Sequence, residues 1–576
     1  MTGVSKIILV LAMFFCAASL FGNDGKRQEN AERIVRSLEE GRRFHGSRSP
    51  DDSRGGKCGL WQSFEIQRSW NDFTESQKQR IRNVFSTTGM EKERVIGHFR
   101  IYYDTSPDSI DTPALIDAND QRIPGTAEQF IDSVGRFFNE AWDFEINRLG
   151  YPAPPLRADA LYPVIVRELG TGTYGRTLWF DSTLVDAGPP PRYRTFIEID
   201  NDFLINYAPS RGIPGLKVTA AHEFHHAIQI GTYGYWSNDL YFYEITSTWM
   251  EDVVYNDVND YYQYLFSEGS QFVHPEFGFT QTDLQIQYSR AIWGKFIEKR
   301  FGRDAMRHTW EYLHQVPTVP GLDPSIWAID RALSDLGTSF RQEFLQWAYW
   351  NFNTGPTGTA NRFYPEGQNY PKMRIQSRAD FIPPSSSIQG NLETVSSSYY
   401  KVCILKTPAD SCGINNEMDV IISNVNTPEA ASTAQIPFTY TISSSQTDGA
   451  RKLSNGLWSN LDVGDPENWS TQETVPSVIG DVLVFPLPYV VRSNKPLWFR
   501  LPEKPQSSTA TLYVFGSDLD KIVSRELPVL DFRPLEPAIQ WDGHTDSQLS
   551  ITTGVYFYVI VVDEKQYTGK FAAIRE

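Results

Sequence analysis

Cysteine, histidine and basic side chains are all scarce in this chain of 576 residues, which has four Cys, nine His and 53 Lys plus Arg against 70 Asp plus Glu. So few cysteines exclude a disulfide-dense scaffold. The formal net charge of −17 leaves no basic cluster for phosphates, which excludes nucleic acid as a partner and suits a soluble exported protein. Long apolar runs are missing too. After Phe21 no segment reaches the roughly 18 unbroken apolar residues that a membrane span requires.

What is present begins with an export signal. Lys6 precedes an apolar run from Ile7 to Phe21, with Ala17, Ala18, Ser19 and Gly22 near its end, so residues 1–22 are expected to be a signal peptide. Phe14 and Phe15 stand where a lipoprotein cysteine needs a small residue before it, which argues against a lipid anchor on Cys16. The mature protein is expected to be secreted or held at the cell surface by other means.

With 40% apolar and 14% aromatic residues, the remainder can bury several cores and should divide into domains. Residues 23–95 are polar and helix-prone, and Thr74-Glu75-Ser76-Gln77 reads as a capping box; this is expected to be a helical pro-region. Residues 96–376 form the expected α+β catalytic domain. Its strand signals (Phe99 to Tyr103, Val164 to Glu168, Thr195 to Ile199) surround an amphipathic helix carrying Phe130, Val134, Phe137, Phe138, Ala141 and Trp142. After Pro371 the chain turns to short β-branched and aromatic runs between Ser-, Thr- and Pro-rich turns. That pattern predicts a β-sandwich over 380–480 and a second all-β unit over 482–576.

The chemistry lies in Ala221-His222-Glu223-Phe224-His225-His226-Ala227, an HExxH pattern inside an apolar stretch from Val218 to Ile230 that reads as one helix. Four residues apart on a helix, His222 and His226 share a face and can reach one zinc ion, with Glu223 beside it as general base for the water the metal holds. His225 is the ambiguous member of the group. A zinc site of this type needs a third protein ligand and an open fourth position, and Glu244 is the candidate. Glu251, seven residues on, shares its helical face and is placed to orient a ligand histidine through its second ring nitrogen.

The HExxH helix followed by Glu244 and Glu251 resembles the gluzincin metallopeptidases, whose third ligand is glutamate. A metzincin would need a third His where Thr232 stands. The segment from Gln287 to Ile297 is similar to the gluzincin aminopeptidase helix that bears a tyrosine facing the scissile carbonyl, which makes Tyr288 the implied oxyanion stabiliser. The aminopeptidase Gly-x-Met-Glu-Asn anchor is not found, which points to an endopeptidase. More broadly, Gly97 to Thr105, Asp117 to Asp120, Phe196 to Asp200 and Thr248 to Asp252 resemble a family of secreted bacterial metalloproteases whose activity is itself inferred. In that family the segment around Asp117 implies calcium, but Arg122 and Gly125 stand here where a Gly and a closing acid belong, so a calcium ion is not expected. The final unit, with Leu497 to Pro502, Ala510 to Phe515, Trp541-Asp542-Gly543 and Gly554 to Tyr558, resembles the immunoglobulin-like domain of flagellar hook-cap proteins and type IX secretion sorting domains. That resemblance implies the secretion machinery of the cell envelope as a partner.

Beyond Cys16, three cysteines remain. Cys403 and Cys412 are placed to close a loop in an oxidising compartment. Cys58, in the flexible, exposed-looking Arg54 to Gly59, is then a free thiol, a disulfide partner of either, or the ligand that blocks zinc in a latent proenzyme, since Cys58-Gly59 resembles the cysteine switch. The function expected from all of this is a secreted zinc endopeptidase with a protein or peptide substrate. The alternative is a surface binding or adhesion protein whose metallopeptidase-like domain no longer cleaves.

Overall fold

The computed structural model describes residues 26–40, 57–170, 172–319, 321–356, 363–381, 385–404, 417–425, 436–443, 458–462, 482–485, 489–491, 496–502, 505–516, 521–533, 536–547, 549–563 and 565–574. The expected signal peptide lies outside them, as does Cys412. The chain is multidomain, with mixed helices and several β-sheets, and no described helix is long and apolar enough to cross a membrane. It divides into two compact units, one of residues 1–271, 280–295 and 313–318 and the other of 272–279, 296–312 and 319–576.

The first unit is built on a five-stranded mixed sheet with order β1-β2-β3-β7-β4, where β1 is Lys92–Ile96, β2 Phe99–Tyr103, β3 Tyr162–Arg167, β4 Gly175–Leu178 and β7 Phe196–Asp200. A hairpin of β5 (Leu184–Asp186) and β6 (Arg192–Tyr193) lies between β4 and β7 in the chain. Strands β2, β3 and β7 run parallel; β1 and β4 are the antiparallel edges. The strand read at Thr195 to Ile199 is therefore interior, and its neighbour β4 holds the edge.

Alternation along the strands gives the sheet two apolar faces. On one face Ile165, Leu178, Phe180 and Phe196 share a core with a helix at 26–40 (α1), with Ile66 of α2 (Leu60–Arg68) and with Ile81 and Val84 of α3 (Glu75–Val84). The capping box opens α3: the Thr74 N–H donates to Gln77 Oε1 at 2.9 Å and the Gln77 N–H donates to Thr74 Oγ1 at 3.3 Å. The other face is covered by α4 (Ala127–Trp142) and α5 (Ile213–Ile228). Phe224 of α5 packs at 5.3 Å from Trp142, 5.7 Å from Phe99 and 6.2 Å from Tyr162, measured between ring centroids. This contact holds the HExxH helix against the sheet.

The second unit includes the helices Pro324–Asp335 and Phe340–Phe352 and the β-rich remainder. Four strands, Trp458–Asp462, Glu417–Asn424, Ser396–Ile404 and Ser377–Phe381, form one sheet, and Ile436–Ser443 pairs antiparallel with Ser385–Leu392. Cys403 is disulfide-bonded. Beyond residue 482, a four-stranded and a five-stranded sheet contribute Leu497, Phe499, Ile539 and Trp541, and Leu512, Val514, Tyr558, Ile560 and Phe571, to one shared core.

Candidate metal centre

The HExxH helix starts at a backbone position that only glycine adopts easily: Gly212 has φ of 67° and Pro214 follows in the first turn. From there α5 runs buried through His222, Glu223, His225 and His226, then widens into a π-helical turn at Gln229–Tyr233. Helix α6 (Leu240–Val254) packs against it and carries Glu244 and Glu251, both buried, on the side facing the histidines.

His222 Nε2 and His226 Nε2 lie 3.0 Å apart, and Glu244 Oε2 lies 3.2 Å from the first and 3.7 Å from the second. The fourth member is Cys58. Its Sγ, the two histidine nitrogens and a Glu244 oxygen all lie within 4.8 Å of one another. Among the described residues this is the one group of three or more His, Cys, Asp or Glu so gathered.

Each histidine is fixed by its other ring nitrogen. His222 Nδ1 lies 2.6 Å from Glu251 Oε1, and His226 Nδ1 lies 2.7 Å from Gln229 Oε1 and 3.0 Å from Ser247 Oγ. With Nδ1 so engaged on each ring, the two Nε2 atoms face each other and Glu244 Oε2, and once the inner protons leave, their lone pairs converge with that oxygen. Acceptors crowded in this way fit a shared cation, and two N, one O and one S are a zinc donor set. The field of Glu244 and Glu251 is strongly negative. Burial opposes charge on His222, but the carboxylates of Glu244 and Glu251 outweigh it and raise its pKa to about 9; Glu244 is lowered to about 2, its burial outweighed by the two histidines. Burial and the carboxylates of Glu223 and Glu244 push the Cys58 thiol well up.

Glu223 is held by Thr177 on the edge strand, whose hydroxyl donates to Oε2 at 2.7 Å. Gly175 on the same strand leaves the space that Glu223 occupies. A Cβ there would stand 2.9 Å from Glu223 Cγ and 2.9 Å from Thr219 Cγ2. Tyr288, on the short helix Ile286–Ser289, is buried, stacks 4.7 Å from Tyr264, and lies within the influence of Glu244 and the Cys58 backbone. Burial, then Glu244, pushes its phenol well up, so it remains a donor.

His225 faces away, 2.8 Å from Glu145 Oε2 and edge-on to Tyr151, and takes no part in the cluster. The acidic groups of the Asp117 loop are also committed elsewhere: Asp117 Oδ1 accepts the backbone N–H groups of Asn119 and Gln121, and Arg122 pairs with Asp202 at 2.9 Å.

The segment expected to be exposed around Cys58 is instead buried where the structure describes it, with Lys57 4% and Cys58 1% accessible. It lies along β4 as an added strand. Cys58 bridges Gly175 in parallel, the Tyr174 N–H donates to Lys57 O at 2.7 Å, and the Gly59 N–H donates to Gly175 O at 2.9 Å. Gly59 permits this approach, since a Cβ would come within 2.7 Å of Arg176 Cβ. Lys57, Cys58, Tyr174, Thr219, His222, Glu223 and Glu251 close around the site and leave no room there for a peptide.

Sequence reasoning missed Lys57, Gly175, Thr177, Gln229 and Asp260. Only Gln229, three residues past His226 on the same helix, carries a local signal.

No protein-family model and no curated protein matches the chain. Among solved structures it is similar to PorZ, a surface component of the type-IX secretion system of Porphyromonas gingivalis, with a TM-score of 0.13 and 16% identity over 16% of this chain and 11% of that one. It is also similar to dimeric latent PorU from Porphyromonas gingivalis, with a TM-score of 0.15 and 12% identity over 35% of this chain and 19% of that one. The chain thus spans less than a fifth of either neighbour, and the functional reading rests on the site itself.

Proposed function

We propose that the protein is a secreted zinc endopeptidase held in a latent form, with a zincin-like catalytic domain and a carboxy-terminal immunoglobulin-like domain of the type IX sorting kind. One observation carries the catalytic reading: two histidine nitrogens and a glutamate oxygen converge, with Glu223 beside them on the same helix and Cys58 closing the fourth side. His222, His226 and Glu244 would hold the ion, and Cys58 would complete its shell in the latent state.

When bound, zinc supplies Lewis acidity toward water and toward a peptide carbonyl. The chain's own groups do the rest. The freed edge of β4 pairs with an extended substrate backbone. Glu223, positioned by Thr177, takes a proton from the attacking water as its oxygen bonds to the carbonyl carbon. The same proton then passes to the amine nitrogen as the C–N bond breaks. Tyr288 donates its phenolic hydrogen to the carbonyl oxygen as charge develops there.

The test uses the full-length chain. Lys57→Ala/Cys58→Ser should bind one zinc and cleave an unfolded protein on which the wild-type chain is silent; adding Glu223→Gln should keep the zinc and stop cleavage. The alternative, a surface binding protein with a structural metal, draws on the same four-ligand closure, because structural zinc sites are closed. Zinc retained with no cleavage by the opened chain would favour it, and absence of zinc would refute both.

A further inference from the structure

Lys57 does more than precede the cysteine. Its side chain leaves the added strand and enters a recess with an acidic floor, where Nζ lies 2.5 Å from Glu251 and 2.7 Å from Asp260 Oδ2. All three side chains are at most 3% accessible. The walls are aromatic: Nζ sits 5.7 Å from the Tyr174 ring centroid and 5.5 Å from that of Tyr264. Asp260 is itself oriented, with Oδ1 accepting from Gln263 Nε2 at 2.9 Å and from Tyr174 Oη at 3.2 Å.

This recess adjoins the candidate metal centre directly, because Glu251 serves both: Oε1 lies 2.6 Å from His222 Nδ1, and both of its oxygens lie 2.5 Å from Lys57 Nζ. Any peptide that replaces the 57–59 strand on β4 and presents its backbone to the metal must therefore place a side chain here. An apolar side chain would leave two carboxylates facing each other, desolvated and without a cation, whereas a lysine restores both ion pairs.

Resting on the peptidase reading, we infer that this recess is the specificity pocket and that it selects a basic side chain, lysine above all, next to the scissile bond. Lys57 is then a built-in mimic of the substrate residue. Because its strand runs parallel to β4, it occupies the pocket while Cys58, rather than a scissile bond, faces the metal.

The experiment uses full-length Lys57→Ala/Cys58→Ser with two readouts. In the first, peptides that differ only by lysine or norleucine on either side of the scissile bond are compared by kcat/KM. In the second, fluorescence anisotropy compares the hexapeptide Arg-Gly-Gly-Lys-Cys-Gly with its norleucine analogue, which needs no catalysis. Lysine should be preferred at least tenfold in both, on the order expected for a charged partner lost from a buried pair. Adding Asp260→Asn should bring both ratios toward one, and retained zinc content would show that the variant is folded at the site. Cleavage and binding that ignore lysine would overturn the pocket. A lysine-dependent binding ratio with no cleavage of any peptide would instead overturn the peptidase reading and leave the pocket standing.

Discussion

Loading the metal-free, full-length protein with zinc at pH 7 should release about two protons, and loading Cys58→Ser should release about one. The count follows from the field of the centre. In the apo protein His222 has a pKa of about 9, because Glu244 and Glu251 together outweigh its burial, so at pH 7 it carries a proton in about 99% of molecules. The Cys58 thiol is pushed up by burial and by Glu223 and Glu244, and it too is protonated. Zinc takes neutral imidazole and thiolate, so both protons must leave. The raised His222 pKa sets the direction with pH. Its proton competes with the metal below about 9 and ceases to compete above, so this group alone should make apparent zinc affinity climb about tenfold per unit from pH 7 and flatten near 9, which Cys58→Ser isolates, while the thiol proton adds a further factor of about ten per unit in wild type. Isothermal titration calorimetry in buffers of different ionisation enthalpy reads the proton count directly. An equal count for wild type and Cys58→Ser would remove Cys58 from the ligand set, and a count of zero in both would refute assembly of the ion at these residues.

Further substitutions probe single roles, each in the opened Lys57→Ala/Cys58→Ser background. Gly175→Ala places a Cβ 2.9 Å from Glu223 Cγ and should lower turnover at least about tenfold while zinc content stays at one per chain; an unchanged rate would show that Glu223 need not occupy that space. Tyr288→Phe should lower kcat about a hundredfold with KM little changed, read from steady-state kinetics, and an unaffected kcat would return Tyr288 to packing. Glu251→Gln should weaken zinc about 10- to 100-fold in competition with a chelator, because it loosens the hold on His222; an effect as complete as that of His222→Ala would make Glu251 a direct ligand.

Much of the geometry of the candidate centre was legible because its signals are local. The i, i+4 spacing of His222 and His226 and the seven-residue spacing of Glu244 and Glu251 are properties of single helices, and α5 and α6 carry them on the facing sides the spacing implies. The strands at Phe99–Tyr103 and Phe196–Asp200 declared themselves by apolar content, and β3 by the near-continuous run of a strand buried on both faces. Edge strand β4 did not, since Gly175-Arg176-Thr177-Leu178 is short and half polar. Lys57 and Asp260 stand 203 residues apart, and nothing in a Gly-rich stretch marks a lysine that will be buried against a distant carboxylate. Chain composition around Cys58 predicted exposure for the same reason: backbone hydrogen bonds to Tyr174 and Gly175 and one ion-paired lysine outweigh local sequence.

The strand bearing Lys57 and Cys58 stands, in chain order, between α1 and α2, and both helices contribute to the apolar core on one face of the sheet. If the proposed latency holds, a latch built this way would not be a detachable leader. One backbone cut upstream of Lys57 frees an end of the strand but leaves α1, α2 and α3 seated, with the strand still spliced to the first residue of α2. Activation by such a cut would yield a nicked molecule of two interlocked pieces rather than a trimmed one, and the blocking strand would remain tethered beside the site it vacates. Its local concentration would stay high, so opening would be a reversible equilibrium that a competing peptide can shift, with the enzyme drawn into its active state by its own substrate.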